Sequence, residues 1–134
     1  MMVTDHFSVG EFACKDGRTY PPDWILDRLR PLCNQLEVIR AAIGGLPIII
    51  LSGYRSPEWN QRVGGAKASQ HMAGRAADIR VADMSAGLLH AKIIDLHGRG
   101  AIQIGGLGLY KTWVHLDVRA GVKLAQWAGT GVVV

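Results

Sequence analysis

Ser69-Gln70-His71-Met72-Ala73-Gly74-Arg75-Ala76-Ala77-Asp78-Ile79-Arg80-Val81 runs from a polar, glycine-bearing loop straight into an apolar strand. Ala76 to Val81 is predicted as a strand, yet it carries Asp78 between Ala77 and Ile79. A carboxylate there is costly to bury unless it meets a cation or a good set of donors. The small residues Ala73, Gly74 and Ala76 let the chain fold back sharply, so that His71 and Asp78 can converge. Imidazole nitrogen and carboxylate oxygen are donors that zinc accepts. The structural alternative pairs Asp78 with Arg80 or Arg119.

A second polar stretch lies downstream, in Trp113-Val114-His115-Leu116-Asp117-Val118-Arg119. Alternate residues of a strand share a face. His115, Asp117 and Arg119 therefore line up opposite Val114, Leu116 and Val118: one set can face a cleft, the other a core. A third ligand from a second strand completes a three-ligand site with one position left for water. The bland reading is the wet side of an edge strand. Upstream, Ser52-Gly53-Tyr54-Arg55-Ser56-Pro57 places Arg55 just after a buried strand, where it can meet a substrate carboxylate or an oxyanion. His6, His90 and His97 read as structural.

Around these segments the pattern predicts an α+β domain, with helices on one face of a small antiparallel sheet. Ile25, Leu29, Leu32, Leu36, Ile39 and Ile43 recur at steps of three and four, predicting a helix over 22–43. Asp23 is its expected cap, Gly44-Gly45 its stop and Pro31 a kink or break. Strands are expected at 47–51, 76–81, 107–110 and 113–118, the last two joined by a tight Lys111-Thr112 turn. A second helix is expected over 85–97, with Leu88, Leu89, Ile93 and Leu96 inward and Gly98 at its end. Residues 52–68 read as loop. The domain spans 1–134, with an arm over 1–20 and a tail over 120–134. In the arm, Ser8 and Glu11 fit a capping box and Phe7 and Phe12 can pin it to the core. Val132 to Val134 read as an edge strand or a frayed end.

The 134 residues suit one core, and nearly half are apolar, which excludes a disordered chain. The formal charge of +4 draws the protein to polyanions. No Lys/Arg block or basic-aromatic stripe is present, so nucleic acid is not an expected partner. Cys14 and Cys33 make no disulfide framework. They read as buried thiols, with a single bridge as the alternative. The first ten residues lack an apolar core, and the run from Leu46 to Leu51 is far too short to span a bilayer. The expectation is a cytoplasmic monomer with no signal peptide and no membrane insertion.

Ser69-x-His71-x-x-Gly74-x-Ala76-x-Asp78 resembles the signature of the zinc D-alanyl-D-alanine carboxypeptidase family. That family includes phage endolysins cutting the L-alanyl-D-glutamate bond and shares its fold with the hedgehog signalling domain. Ser52-Gly53-Tyr54-Arg55-Ser56 is similar to the family's Ser-Gly-x-Arg-Ser segment. Val114 to Arg119 and Phe7-Ser8-x-x-Glu11-Phe12 resemble one subgroup, common in phage-derived proteins. The resemblance spans roughly residues 7 to 127. It implies a hedgehog-like zinc peptidase acting on peptidoglycan peptides, with Zn2+ on His71, Asp78 and His115. It also implies substrate contacts from Arg55, Tyr54 and Ser69, Ser69 otherwise steadying the His71 loop. Many members carry a carboxylate three positions before the last zinc His, where this chain has Thr112. Asp117 is then the expected base or water-orienting group. In the alternative alignment His115 is the base and Asp117 the third ligand. Arg55, with the metal, would stabilise the oxyanion. Two other functions compete: a non-catalytic zinc-containing wall-binding or phage structural module, and a basic interaction domain without metal.

Overall fold

The apolar period between residues 22 and 43 folds as one helical run of changing pitch. In the computed structural model, which describes residues 1–121 and 123–129, a 3-10 turn (Pro22–Trp24) leads into a π-turn (Ile25–Leu29) and then into α1, Arg30–Ala42. Pro31 sits in the first turn of α1, where its missing N–H costs little. The break expected there takes the form of the widened turn just before it. Asp23 does not cap this run; Pro21 holds the cap position and no side chain bonds there. Leu29, Leu32, Leu36 and Ile39 are fully buried. Gly44 and Gly45 end the helix at φ 83 and 78, and the Gly45 N–H donates to Arg40 O at 2.9 Å.

Five strands form one sheet: β1 (Ile48–Ser52), β2 (Ala76–Val81), β3 (Gly106–Leu109), β4 (Val114–Asp117) and β5 (Ala125–Ala128). Their order is β1-β2-β4-β3-β5. Every neighbouring pair is antiparallel except β3 and β5, which run parallel. The sheet is thus mixed, where a wholly antiparallel one was expected. Both sides of β4 are occupied, by β2 and β3, so the next strand cannot pair with β4 and joins at the free edge of β3. A short connection reverses the chain, and a strand opposed to β4 must run along β3. Tyr110 N–H donates to Trp113 O at 3.0 Å and closes the Lys111-Thr112 turn. The expectation for Val132 to Val134 lies outside the described residues.

Ala77, Ile79, Val81, Leu107, Leu109, Val114 and Leu116 carry the apolar face of the sheet. The first and last long helices cover it: α1, and α3 (Ala86–Gly98), whose Ser85 accepts Leu88 N–H. Leu89, Ile93 and Leu96 point inward as expected, whereas Leu88 is 49% exposed. The segment read as loop over 52–68 contains a short helix, α2 (Pro57–Arg62). Ser56 accepts Trp59 N–H at 3.1 Å and Pro57 opens the helix, a start signal present in the sequence.

The arm is part of the core. Phe7 and Phe12 are buried, Ser8 N–H donates to Glu11 Oε1 at 2.8 Å, and Tyr54 N–H donates to Phe12 O at 2.9 Å. Cys14 and Cys33 are both free and buried. No described helix is long and apolar enough to cross a membrane.

Candidate metal centre

The face of the sheet away from the helices carries the polar residues. Antiparallel pairing sets Asp78 of β2 opposite His115 of β4. His71 arrives from the turn before β2. Asp78 Oδ1 lies 3.0 Å from His115 Nδ1 and 3.2 Å from His71 Nε2. One donor atom from each of the three falls within 4.8 Å of the others, and all three residues are buried. Four ligands at zinc's usual distances are about 3.3 Å apart along a tetrahedral edge, close to the two separations from Asp78 Oδ1.

Proton placement identifies what the cluster can hold. His71 Nδ1 lies 2.7 Å from Gly53 O, an acceptor, so Nδ1 carries the proton and the Nε2 lone pair faces Asp78. His115 Nε2 lies 2.8 Å from Asp117 Oδ2, so Nδ1 faces Asp78 in the same way. Two lone pairs and a carboxylate oxygen then converge with no donor between them. Such a set repels unless positive charge sits in its midst, and imidazole with carboxylate suits zinc. The same carboxylates also attract protons, which compete with a metal ion for the imidazole lone pairs. Burial pushes the Asp78 pKa up, but the proximity of His115 and His71 outweighs it and holds the carboxyl well below its usual range. Burial pushes His115 down, but Asp117 and Asp78 outweigh it and raise its pKa.

The turn carrying His71 is held from several sides. Ser69 Oγ accepts His71 N–H at 3.1 Å, and Arg55 N–H donates to His71 O at 3.1 Å. Gly74 adopts φ 70, and a Cβ there would lie 2.7 Å from the Tyr20 hydroxyl and 2.8 Å from Trp24 Cε3. Tyr20 OH donates to Gly74 O at 2.6 Å and Arg28 Nη1 to Ala73 O at 2.9 Å. The segment entering α1 thus braces the turn.

Arg55 donates from Nε to Ser52 Oγ, from Nη1 to Asn60 Oδ1 and from Nη2 to Asp78 Oδ2, each at 3.3 Å. It lines a cleft of about 470 Å³ that opens onto His71, Asp78 and His115. One wall of the cleft is Gly64, Gly65, Ala66 and Ala68; Ser69 also lines it. The opposite wall is aromatic. Tyr110 and Trp113 stack at 4.6 Å with 6° between their planes, and Trp127 donates from Nε1 to Tyr110 OH at 3.0 Å. The Trp127 ring lies 5.0 Å from that of His115. These three aromatics were not foreseen as site residues. Gly106-Leu107-Gly108-Leu109 held the signal, because glycine at every second strand position leaves room for something bulky on that face. A Cβ at Gly108 would lie 2.7 Å from Trp127 Cε2.

Two residues expected at the site stand apart from the cleft. Asp117 has no exposed surface. Its Oδ1 accepts from Arg119 Nε at 2.8 Å and Arg119 N at 3.1 Å, and its Oδ2 accepts from Arg119 Nη2 at 2.7 Å besides meeting His115. Burial raises its pKa, but Arg119 and then His115 outweigh that and hold it well down. It sits behind His115, outside the residues lining the cleft. Tyr54, expected at the substrate, packs edge-on to Tyr20 at 6.1 Å and Trp24 at 6.0 Å and lies outside the lining as well. Thr112 is exposed in the hairpin turn.

Comparison with known proteins adds a family and a relative. The profile of the family described as Peptidase M15 matches residues 5–117. Over 45 residues the chain is 47% identical to the zinc D-Ala-D-Ala carboxypeptidase of Streptomyces albus G, covering 34% of this chain and 18% of that relative. The matched stretch is therefore under a fifth of the relative's length.

Proposed function

The chain belongs to the peptidase M15 family, and on that premise we propose that it is a zinc-dependent peptidase hydrolysing peptide bonds in the stem peptides of peptidoglycan. The observation that carries this reading is the convergence of His71, Asp78 and His115 at the floor of an open cleft. A zinc ion held there would supply a Lewis acid and lower the pKa of a bound water to about 7.

The chain's own residues would do the rest. His71 and His115 present lone pairs because Gly53 O and Asp117 fix their tautomers. Arg55, held by Ser52, Asn60 and Asp78, would meet the negative charge that develops on the substrate carbonyl oxygen. Ser69 would act on the His71 turn through its bond to the backbone. The glycine and alanine wall leaves backbone accessible to an extended peptide, and the aromatic wall offers it an apolar surface.

The relative is named as a D-Ala-D-Ala carboxypeptidase, and that bond is one candidate here. An endolysin-type endopeptidase, acting in phage or prophage lysis, is the other; the Phe7–Phe12 and Val114–Arg119 segments favour it. Digestion of purified peptidoglycan with and without chelator, followed by mass spectrometry of the fragments, tests the proposal and identifies the bond. Loss of terminal alanine marks a carboxypeptidase and shortened internal peptides an endopeptidase. Absence of any chelator-sensitive cleavage refutes the enzyme reading. One observation favours a second reading, a zinc-containing wall-binding module without catalysis: Asp78 is the sole carboxylate among the described residues that line the cleft. Wall binding without new amine ends would identify that module.

A further inference from the structure

We propose that Arg119 works on two edges: the inner one fixes Asp117 and through it the orientation of His115, and the outer one binds a carboxylate of the substrate. This rests on the reading of the cleft as a zinc peptidase site for stem peptides. A fully buried carboxylate such as Asp117 needs a cation beside it. Arg119 supplies one in fork geometry, with Nε at 2.8 Å from Oδ1 and Nη2 at 2.7 Å from Oδ2. The start of β3 is emptied of side chains to admit the pair. A Cβ at Gly106 would lie 2.7 Å from Asp117 Cγ, and one at Gly105 2.6 Å from Arg119 Cγ.

The outer edge faces a different environment. Arg119 lines the cleft and its side chain is 33% exposed. Its Nη1 has no hydrogen-bond partner among the described residues, whereas each guanidinium nitrogen of Arg55 has one. The guanidinium lies 5.3 Å from the Trp127 ring, which also lies against His115. The fork and this ring hold the plane of the guanidinium, so Nη1 is a cationic donor held in the same cleft as the metal cluster. The ligand chemistry that fits is a carboxylate near the scissile bond, carried either at the peptide terminus or on an internal acidic residue.

Arg119→Lys keeps the charge but loses the fork; Arg119→Gln loses both. Because Arg119→Gln strands the Asp117 carboxylate, the double variant Asp117→Asn with Arg119→Gln provides a neutral pair that keeps the fold testable. Zinc affinity is measured by competition with a chromophoric chelator. Values of kcat and KM are measured on a synthetic stem peptide, on its C-terminal amide and on the form with its internal glutamate amidated. Arg119→Lys and the double variant should bind zinc about 10- to 100-fold more weakly. KM on the peptide bearing the recognised carboxylate should rise about tenfold, and the preference for it over the matching amide should vanish. Whichever amide the wild type discriminates against identifies the recognised carboxylate. Wild-type zinc affinity in both variants would overturn the inner-edge role. A wild-type enzyme indifferent to both amides, or a preference surviving in Arg119→Lys and in the double variant, would overturn the outer-edge role. If the wild-type protein neither holds zinc nor cuts any of the peptides, the fault lies with the proposed function instead.

Discussion

Replacing Gly106 with alanine tests the packing behind the metal cluster. The new Cβ would sit 2.7 Å from Asp117 Cγ and 2.7 Å from Oδ1. A normal carbon–carbon separation is about 3.5 Å, so the carboxylate must retreat by roughly 0.8 Å. It has no free direction, since Arg119 and His115 hold it at 2.7–2.8 Å. Overpacking costs about 1–3 kcal/mol, and weakening one charged hydrogen bond costs about 1.5–3 kcal/mol. The sum, about 2.5–6 kcal/mol, corresponds to a fall in Tm of about 10–20 °C for a domain of this size. Displacing Asp117 also releases His115, so zinc affinity should fall about 10- to 100-fold. Gly87→Ala is the control, because nothing lies within 4 Å of a Cβ there and the residue is in the first turn of α3. That change should stabilise by about 0.5–1 kcal/mol. Thermal unfolding by circular dichroism, with and without zinc, reads both variants. A Gly106→Ala protein that melts within 2 °C, roughly, of wild type and keeps its zinc affinity would refute the argument.

Three further outcomes are expected. His71→Ala and Asp78→Ala should each lose stoichiometric zinc and hydrolysis together; elemental analysis showing full zinc in His71→Ala would remove His71 from the ligand set. Arg55→Ala should lower kcat about 10²- to 10³-fold, as for loss of one oxyanion donor, with zinc content unchanged; loss of the metal would instead make Arg55 a support of Asp78. The Cys33 thiol is pushed up to about 12 by burial, aided by the charges of Glu11 and Glu37. A raised thiol pKa means that the fold favours the protonated form, so its contribution is complete below the unfolded value of 9.0 and is lost as pH rises toward about 12. Native Cys33 should therefore resist a thiolate-selective reagent at about pH 8 and react on unfolding, and Cys33→Ala should flatten the alkaline loss of stability; rapid labelling of the folded protein would contradict its burial.

Local signals carried the elements whose partners lie close in sequence. Strand β2 matches its expected limits because an apolar run is bounded by Gly74 and by the turn at Asp83, the latter at φ 61. The core face of α1 follows from its period. Leu88 deviates because it lies one position off the buried stripe of Leu89, Ile93 and Leu96 on α3. The α2 helix was missed because its six residues carry no apolar stripe, only a cap and a proline. Strand β5 was missed because Ala-Gln-Trp-Ala has no strand character of its own and pairs only because β3 offers a free edge.

Composition and spacing by themselves determined an α+β domain and brought forward His71, Asp78 and His115, since loop glycines, strand alternation and an acid in an apolar strand are properties of short segments. Tertiary structure alone decided what surrounds them. Whether Asp117 faces solvent or backs an imidazole depends on which nitrogen of His115 meets Asp78, and that follows from register and from where Arg119 lies. Trp127, likewise, joins the aromatic wall only because β5 brings it across Gly108. Such contacts join residues through the sheet and leave no periodic trace along the chain.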